Sequence, residues 1–453
     1  MGNGCESRLG AGLVAAVMLA WAPAATAADA GDLQAEIGQL RRQMEESQAA
    51  YQRRIEALEA RIGELEDKSG EAAPAPAVAA PSAMMSGTGF QIGFSGEAIA
   101  GGSSVGDDSL SGLQAGGHDP VRNGFNVPNT ELFVGGAVDP YFDAQANVVF
   151  LIDAEGETVV ELEEAFATTR SLPFGLQVKA GQYFTEFGRQ NPMHPHQWAF
   201  VDQPVILSRL FGGDGLRSQG ARVAWLTPLP WYSELYFGAQ NARGETVTSF
   251  LGEEGEEVGG FALLERQSRN FSDLLYSTRW LNGFEITDSV SANVGVSALY
   301  GPNATGHTTD TSIYGADVYA KWQPAYTERG FPFVSLQAEA LRRLYDVGDP
   351  GTEDARDLRD WGFYAQGLYG FAPGWVAGLR VEHAVGDGDS NADPLRDHRW
   401  RLSPNLTWYP TEFSKLRLQY NRDWAEHLPD ENTADTVWLQ FEYSLGSHFA
   451  HTF

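Results

Sequence analysis

From Phe90 onward the chain alternates apolar and polar positions with a period of two. Near its end, Val437, Leu439, Phe441, Tyr443 and Leu445 interleave with Trp438, Gln440, Glu442 and Ser444. In an extended chain that period places one set on each face of a sheet. The pattern predicts sixteen strands, at 90–99, 129–138, 141–153, 161–170, 174–184, 216–226, 231–241, 271–280, 286–300, 311–323, 332–345, 359–371, 374–385, 398–409, 413–424 and 436–447. Tight connections such as Asp139-Pro140, Ser171-Leu172-Pro173, 227–230, Ala372-Pro373 and Pro410-Thr411-Glu412 alternate with long ones at 100–128, 185–215, 242–270, 346–358 and 386–397. An even strand number with short turns at one end and long loops at the other is the construction of a bacterial membrane barrel.

The faces follow from the alternation. In 141–153, Phe142, Ala144, Ala146, Val148, Phe150 and Ile152 oppose Asp143, Gln145 and Asn147. In 413–424, Leu416, Leu418 and Tyr420 oppose Lys415, Arg417, Gln419 and Asn421. In lipid every backbone group must be paired, so such strands close on themselves, with the apolar face outward and the polar face around a lumen. A soluble sandwich also alternates, but it buries its apolar face in a packed core. The aromatic residues near strand ends, among them Trp225, Trp231, Trp280, Trp322, Trp375, Trp408 and Trp424, fit interfacial girdles instead. The fold class is therefore all-β, a 16-stranded antiparallel transmembrane barrel wide enough to leave an aqueous channel.

Before the barrel the pattern changes. Residues 1–27 read as a signal peptide: Arg8, an apolar run from Leu9 to Ala22, and the small-x-small site Ala25-Thr26-Ala27. Residues 28–68 carry an apolar stripe at steps of three and four, from Leu33, Ile37 and Leu40 to Leu58, Ile62 and Leu65, which predicts a short periplasmic coiled coil. Residues 69–88 are an Ala/Pro-rich linker, and 89–453 are the barrel. Cleavage after Ala27 removes Cys5, so the mature chain offers neither a disulfide nor a thiolate ligand.

Charge narrows the partners. The net charge of −29 excludes a nucleic-acid-binding role, which requires a basic footprint, and argues against a strongly anion-selective pore. The negative mean hydropathy does not count against a barrel, whose strands each give a weak signal.

Signal, coiled coil, linker and barrel together resemble the coiled-coil-bearing trimeric porins of the phosphate-selective porin superfamily. The stretches Glu161-Leu-Glu-Glu-Ala-Phe-Ala-Thr-Thr-Arg170 and Val178-Lys-Ala-Gly-Gln-Tyr-Phe184 are similar to that superfamily's fourth and fifth strands. The resemblance implies a homotrimer, held through coiled coil and barrel walls, and passive diffusion of small solutes. Phe453 on the last alternating strand looks like the terminal aromatic of bacterial outer-membrane barrels, an expected assembly signal for the barrel assembly machinery. The superfamily's lysine and arginine ladders are missing: the four lysines are Lys68, Lys179, Lys321 and Lys415, so phosphate selectivity is not carried over.

In sixteen-stranded porins of this kind the third loop narrows the channel. Here it is 185–215, with Glu186, Arg189, His194, His196, Asp202, Arg209 and Asp214 as its chemistry-bearing residues. Its Phe200, Val205, Ile206, Leu207, Leu210 and Phe211 must be buried, against the inner wall or over the mouth. On the wall, Arg222, Arg380, Arg401 and Arg417 share the polar face with Glu234, Glu339, Glu382 and Glu442. An arginine arc facing an acidic loop resembles the transverse field of general porins; local Arg–Glu pairing that stiffens the wall is the other reading. His194 and His196 at i and i+2 project to one side, a pattern for a shared metal ion, with Glu186 or Asp202 as an oxygen donor. Acids in the outer loops, including Glu253, Glu256, Asp387 and Asp393, predict a cation-enriching vestibule or divalent bridges to lipopolysaccharide. Neither Gly-x-Ser-x-Gly, nor His-Glu-x-x-His, nor a phosphate loop occurs, so no enzyme chemistry and no cofactor is expected. The expected function is an outer-membrane diffusion porin favouring cations. The rivals are an uptake channel for metal ions or chelates, zinc-like, and a structural tether in contact with peptidoglycan.

Overall fold

The computed structural model describes residues 90–446, apart from 114–115, 154, 254, 349–350, 352–354, 388–392, 394–395 and 429–431. The signal peptide, the coiled coil, the linker and Phe453 lie outside the described residues.

The strands are β1 (Gln91–Ser103), β2 (Gly124–Asn126), β3 (Thr130–Ala137), β4 (Phe142–Ile152), β5 (Thr158–Thr169), β6 (Leu176–Phe184), β7 (Arg217–Leu226) and β8 (Tyr232–Asn241). A small hairpin of β9 (Glu257–Val258) and β10 (Phe261–Ala262) follows. The barrel resumes with β11 (Leu274–Thr287), β12 (Val290–Pro302), β13 (Asp310–Trp322), β14 (Phe333–Val347), β15 (Arg356–Ala372), β16 (Trp375–Gly386), β17 (Arg399–Thr411), β18 (Ser414–Ala425) and β19 (Thr433–Leu445).

Every barrel strand pairs antiparallel with its neighbours. Phe94 faces Leu445 where β1 meets β19, and this pairing closes the sheet. The sheet counts 17 strands, because β2 and β3 are one stave interrupted at Pro128. Proline has no N–H to give the ladder, so the stave breaks there. Counted as staves, the barrel has the sixteen that the alternation predicts, in the same order.

The boundaries depart most from the pattern between β11 and β12. The predicted gap between 280 and 286 is strand: β11 runs to Thr287 and a two-residue turn, Asp288-Ser289, follows. Gly283, a turn signal in sequence, sits inside β11 against Tyr232. Among the described residues the barrel segment also contains two α-helices, α1 (Asp107–Leu113) and α2 (Val205–Phe211), each too short to set up a readable helical period.

The exterior is an apolar band. Val223, Phe237, Val294, Val296, Leu336, Leu379, Leu418, Leu439 and Phe441 are exposed on it. Trp225, Trp231, Trp322, Trp375 and Trp408 ring the short-turn end, and Trp361, Trp400 and Trp424 the opposite end. Side chains between these rings contact lipid, while the inward face carries the polar residues.

The lumen is not empty. Alongside polar wall residues, an apolar core fills its long-loop end. Wall residues Leu275, Leu299, Ile313, Leu341, Tyr364 and Ala384 pack with α2 and with Val247, Phe250, Leu251 and Leu263 of the following loop. A second cluster joins Leu110 of α1 to Ile99, Val201 and Trp438. Three loops therefore fold inward at one end, and the simple rule of polar inside and apolar outside fails there.

Candidate functional site

The third loop, 185–216, crosses the lumen. It enters at Glu186, which bonds Lys179 of β6 (2.9 Å) and Arg222 of β7 (2.7 Å). Burial alone would raise the Glu186 carboxyl, but these two cations hold it down at about 2. Phe187 then inserts against the wall at Gly315, where a Cβ would lie 2.6 Å from its ring. The backbone N–H groups of Arg189 and Gln190 both donate to Glu339 of β14, at 2.9 and 2.7 Å. The Arg189 guanidinium lies over Tyr319, 3.9 Å from the ring centroid.

Residues 196–203 lie along β16 to β19. Lys415 and Arg417 donate to the carbonyls of His196 (2.9 Å) and Trp198 (2.8 Å). Asn405 donates to the carbonyl of Ala199 (2.9 Å), and the N–H of Val201 donates to Gln419 (2.8 Å). Asp202 is the anchor. It accepts from Arg380, from Arg401 (2.8 Å), from Gln419 (2.8 Å) and from Asn421 (2.9 Å). Burial would raise the Asp202 carboxyl, and Arg380 and Arg401 together pull it below its usual value. Asp119, brought in by the first loop, takes the N–H of Gln203 (2.8 Å); burial and the nearby Asp202 push its carboxyl up to about 7.

The loop then turns into α2. Pro204 starts the helix and Gly212, at φ +82°, ends it. Glu382 of β16 accepts the N–H of Val205 (2.7 Å), satisfying one of the four donors a helix start leaves open. Val205, Ile206, Leu207, Leu210 and Phe211 enter the intraluminal core, a burial that contributes ~1.5–3 kcal/mol for each large side chain. The loop's apolar residues thus pack inside the barrel. Arg209 points out of that core to Asp397 (2.9 Å to its carbonyl).

The wall arginines are engaged rather than free. Arg380 also bonds Glu382 (2.7 Å), and Arg401 also bonds Asp423 (2.8 Å). Arg417 donates to Gln440 (2.7 Å) and sits opposite Thr407, away from Arg401 along β17, so the three do not form a level arc. Glu442 pairs with Lys415 at 2.6 Å. Glu234 is apart from these, accepting from the hydroxyls of Tyr232 and Tyr236. Asp214, at the loop's exit, lies 4.0 Å from His118.

His194 and His196 do share a side, with rings stacked at 5.7 Å between centroids. The expected oxygen donors are not there, because Glu186 and Asp202 are held by cations elsewhere on the wall. Instead three other carboxylates surround the histidines. His194 Nδ1 lies 2.8 Å from Glu163 and 3.2 Å from Glu131; its Nε2 lies 3.1 Å from Glu164. His196 Nδ1 lies 3.0 Å from Glu131. A β-bulge supplies this arrangement. Asn147 pairs with Glu164 and Val148 with Leu162, so Glu163 is the extra residue and both glutamates turn inward. Sequence reading missed Glu131, Glu163 and Glu164, although adjacent acids in an otherwise alternating strand are the mark of such a bulge.

The rest of the inner wall is less covered. Asp143, Gln145, Gln177, Lys179, Glu234, Tyr236, Asn293, Tyr319 and Lys321 are partly exposed, whereas Gln337, Arg380, Arg401, Ser403, Thr407, Gln419 and Gln440 are buried. The partly exposed positions lie toward the short-turn end of their strands; nearer the long loops the same strands bury Asn147, Tyr183, Gln240, Ser297 and Asp317.

No family model matches the chain. An uncharacterized protein of Aquifex aeolicus (strain VF5) is 33% identical over 363 residues, covering 75% of this chain and 73% of that protein. Among solved structures, the outer membrane channel DcaP of Acinetobacter baumannii superposes with a TM-score of 0.50 at 12% identity, covering 80% of this chain and 99% of that one. OprB of Pseudomonas putida reaches a TM-score of 0.49 at 11% identity, over 79% of this chain and 94% of that one. At such identities the likeness to DcaP is one of fold, the closed antiparallel barrel.

Proposed function

The chain belongs to one family with the uncharacterized Aquifex aeolicus protein, and from the barrel's construction we propose that it is an outer-membrane porin for passive diffusion of small hydrophilic solutes. One observation carries the reading: a closed barrel with an apolar, tryptophan-ringed exterior and a charged, hydrogen-bonded interior. That inversion of a soluble core is the solution lipid demands.

The partly exposed wall of β4, β6, β8, β12 and β13 at the short-turn end forms the wider part of the path for solute, and the infolded loops narrow it toward the long-loop end. The conductance is therefore small for a sixteen-stranded barrel. Cations are preferred. On the covered wall Arg380 and Arg401 are held by Asp202, Glu382 and Asp423 and add little attraction for anions, while Arg417 is bound to the neutral oxygens of Trp198 and Gln440. The chain's charge of −29 enriches cations near the mouth, within about one Debye length. The long loops face outward and the chain ends face the periplasm, where 28–68 assembles three copies as a coiled coil.

Planar-bilayer recording tests this. Small, ohmic steps with a reversal potential on the cation side of a salt gradient are expected. A purified, folded protein that passes no current overturns the channel reading, and an anion-side potential overturns the selectivity. Removing 32–68 is expected to weaken the trimer on native gels; unchanged trimers exclude the coiled coil as its source.

A further inference from the structure

We propose that Glu131, Glu163 and His194 bind a divalent transition-metal ion of the zinc class, resident in the barrel and clamping the third loop to the wall of β3 and β5. One ligand atom from each falls within 4.8 Å of the others. Both glutamates are wholly buried, at 0% exposure, and the nearest arginine, Arg217, stands 3.8 Å from Glu163, so a closer cation would offset the cost of burying the pair.

The contacts lie at ion-pair distances, and the atoms are not aligned for hydrogen bonding. Neither oxygen of Glu163 has a hydrogen-bond partner, and neither does His194 Nδ1, although Nδ1 and Glu163 Oε2 are 2.8 Å apart. Atoms bound to one ion at ~2.0–2.2 Å sit about 2.8–3.6 Å from each other, the lower end for an octahedral shell and the upper for a tetrahedral one. The distances of 2.8 Å to Glu163 and 3.2 Å to Glu131 fall near that range.

The surroundings match the outer shell of a metal site. Metal-bound imidazoles hand their other nitrogen to a carboxylate, which fixes the ring. His194 Nε2 meets Glu164 at 3.1 Å, and Glu164 is itself held by the N–H of Phe184 (3.0 Å). Glu131 is oriented by Asn147 and by His196 at 3.0 Å. Beside Glu163 lies a cavity of about 10 Å³, also lined by His118 and Asp214, which is room for about one water. His118 Nε2 has no hydrogen bond and lies 3.6 Å from Glu163. A water or His118 would complete the shell. Imidazole with carboxylates and without thiolate suits zinc and its first-row neighbours. The burial of both glutamates makes the ion a fixed part of the barrel rather than cargo in transit.

The test uses the full chain, without a polyhistidine tag, refolded in detergent after chelator treatment. Titration with Zn²⁺ by calorimetry, with X-ray absorption at the zinc edge, is expected to give one ion per chain with imidazole and carboxylate ligation. Glu163→Gln keeps the side chain's shape and is expected to abolish this binding. Glu164→Gln, which touches the orienting carboxylate alone, is expected to weaken it by about 10–100-fold. No zinc binding by the wild-type chain overturns the proposal, and so does a zinc spectrum without imidazole. Binding unchanged in both Glu163→Gln and His194→Ala overturns it as well. In any of those cases the cluster is a charge network of histidine and glutamate alone. Because the readout is metal content and not current, it is separate from the channel test.

Discussion

The two halves of the third loop are held in the barrel by opposite means. Residues 186–203 bury Phe187, Phe200 and Val201 but are positioned mainly by charge and hydrogen bonds, with Asp202 between Arg380 and Arg401 at the centre. Residues 205–211 are fixed by burying apolar side chains in a core inside the lumen. Charges can be placed only where partners wait at defined distances, so the first half sets position. Apolar burial is non-directional and roughly additive in area, so the second half supplies stability. A channel loop must do both: stay folded within a polar cavity and hold its charges still.

The comparison can be broken most severely at Asp202. Asp202→Ala leaves two buried guanidinium groups short of an anion and is expected to cost about 3–5 kcal/mol of stability. It should also raise and destabilise the single-channel current, because 196–203 lose their anchor. Denaturant unfolding in detergent, together with bilayer recording, reads both; unchanged current noise would mean that the charge anchor does not set the loop's position. The apolar half predicts a different signature. Leu210→Ala, at a wholly buried position, is expected to cost about 3 kcal/mol while leaving ion selectivity as it was. A shift in reversal potential in that variant would show that the helix also positions charge.

The smallest expected effect is at the loop's entry and depends on pH. The Glu186 carboxyl is lowered to about 2 in the folded chain from an ordinary value of 4.5. Its ion pairs with Lys179 and Arg222 therefore contribute fully above about pH 4.5, and that contribution is lost as pH falls through about 2. Channel noise is expected to rise over that acid window, and Glu186→Gln should show the same noise already at neutral pH. A pH-independent trace in the wild-type chain would remove Glu186 from the entry clamp.

How far the sequence could be read differs sharply between strands and loop. The alternation in β18 and β19 fixes both the strands and their faces, because side-chain direction in a strand depends on nothing beyond the local backbone. Glu163 shows the limit of that reading. Strict alternation sends one of two adjacent glutamates outward to lipid, and the bulge that turns both inward arises from pairing with β4. His194 and His196 were legible as a pair, but their carboxylate neighbours lie 30 to 65 residues away in the chain. The helix α2 was legible as apolar residues needing burial, though not as a helix, since seven residues give too few turns for a period.

The sequence by itself determined the barrel: sixteen staves, their order and the lipid-facing band. Each follows from local chemistry, period and turn residues. The tertiary structure decided which wall the third loop lies against, that Asp202 rather than a free arginine arc organises the covered wall, and that Glu131, Glu163 and His194 meet. Those outcomes depend on contacts between staves far apart in the chain, and closing the barrel is what brings them within a few ångströms.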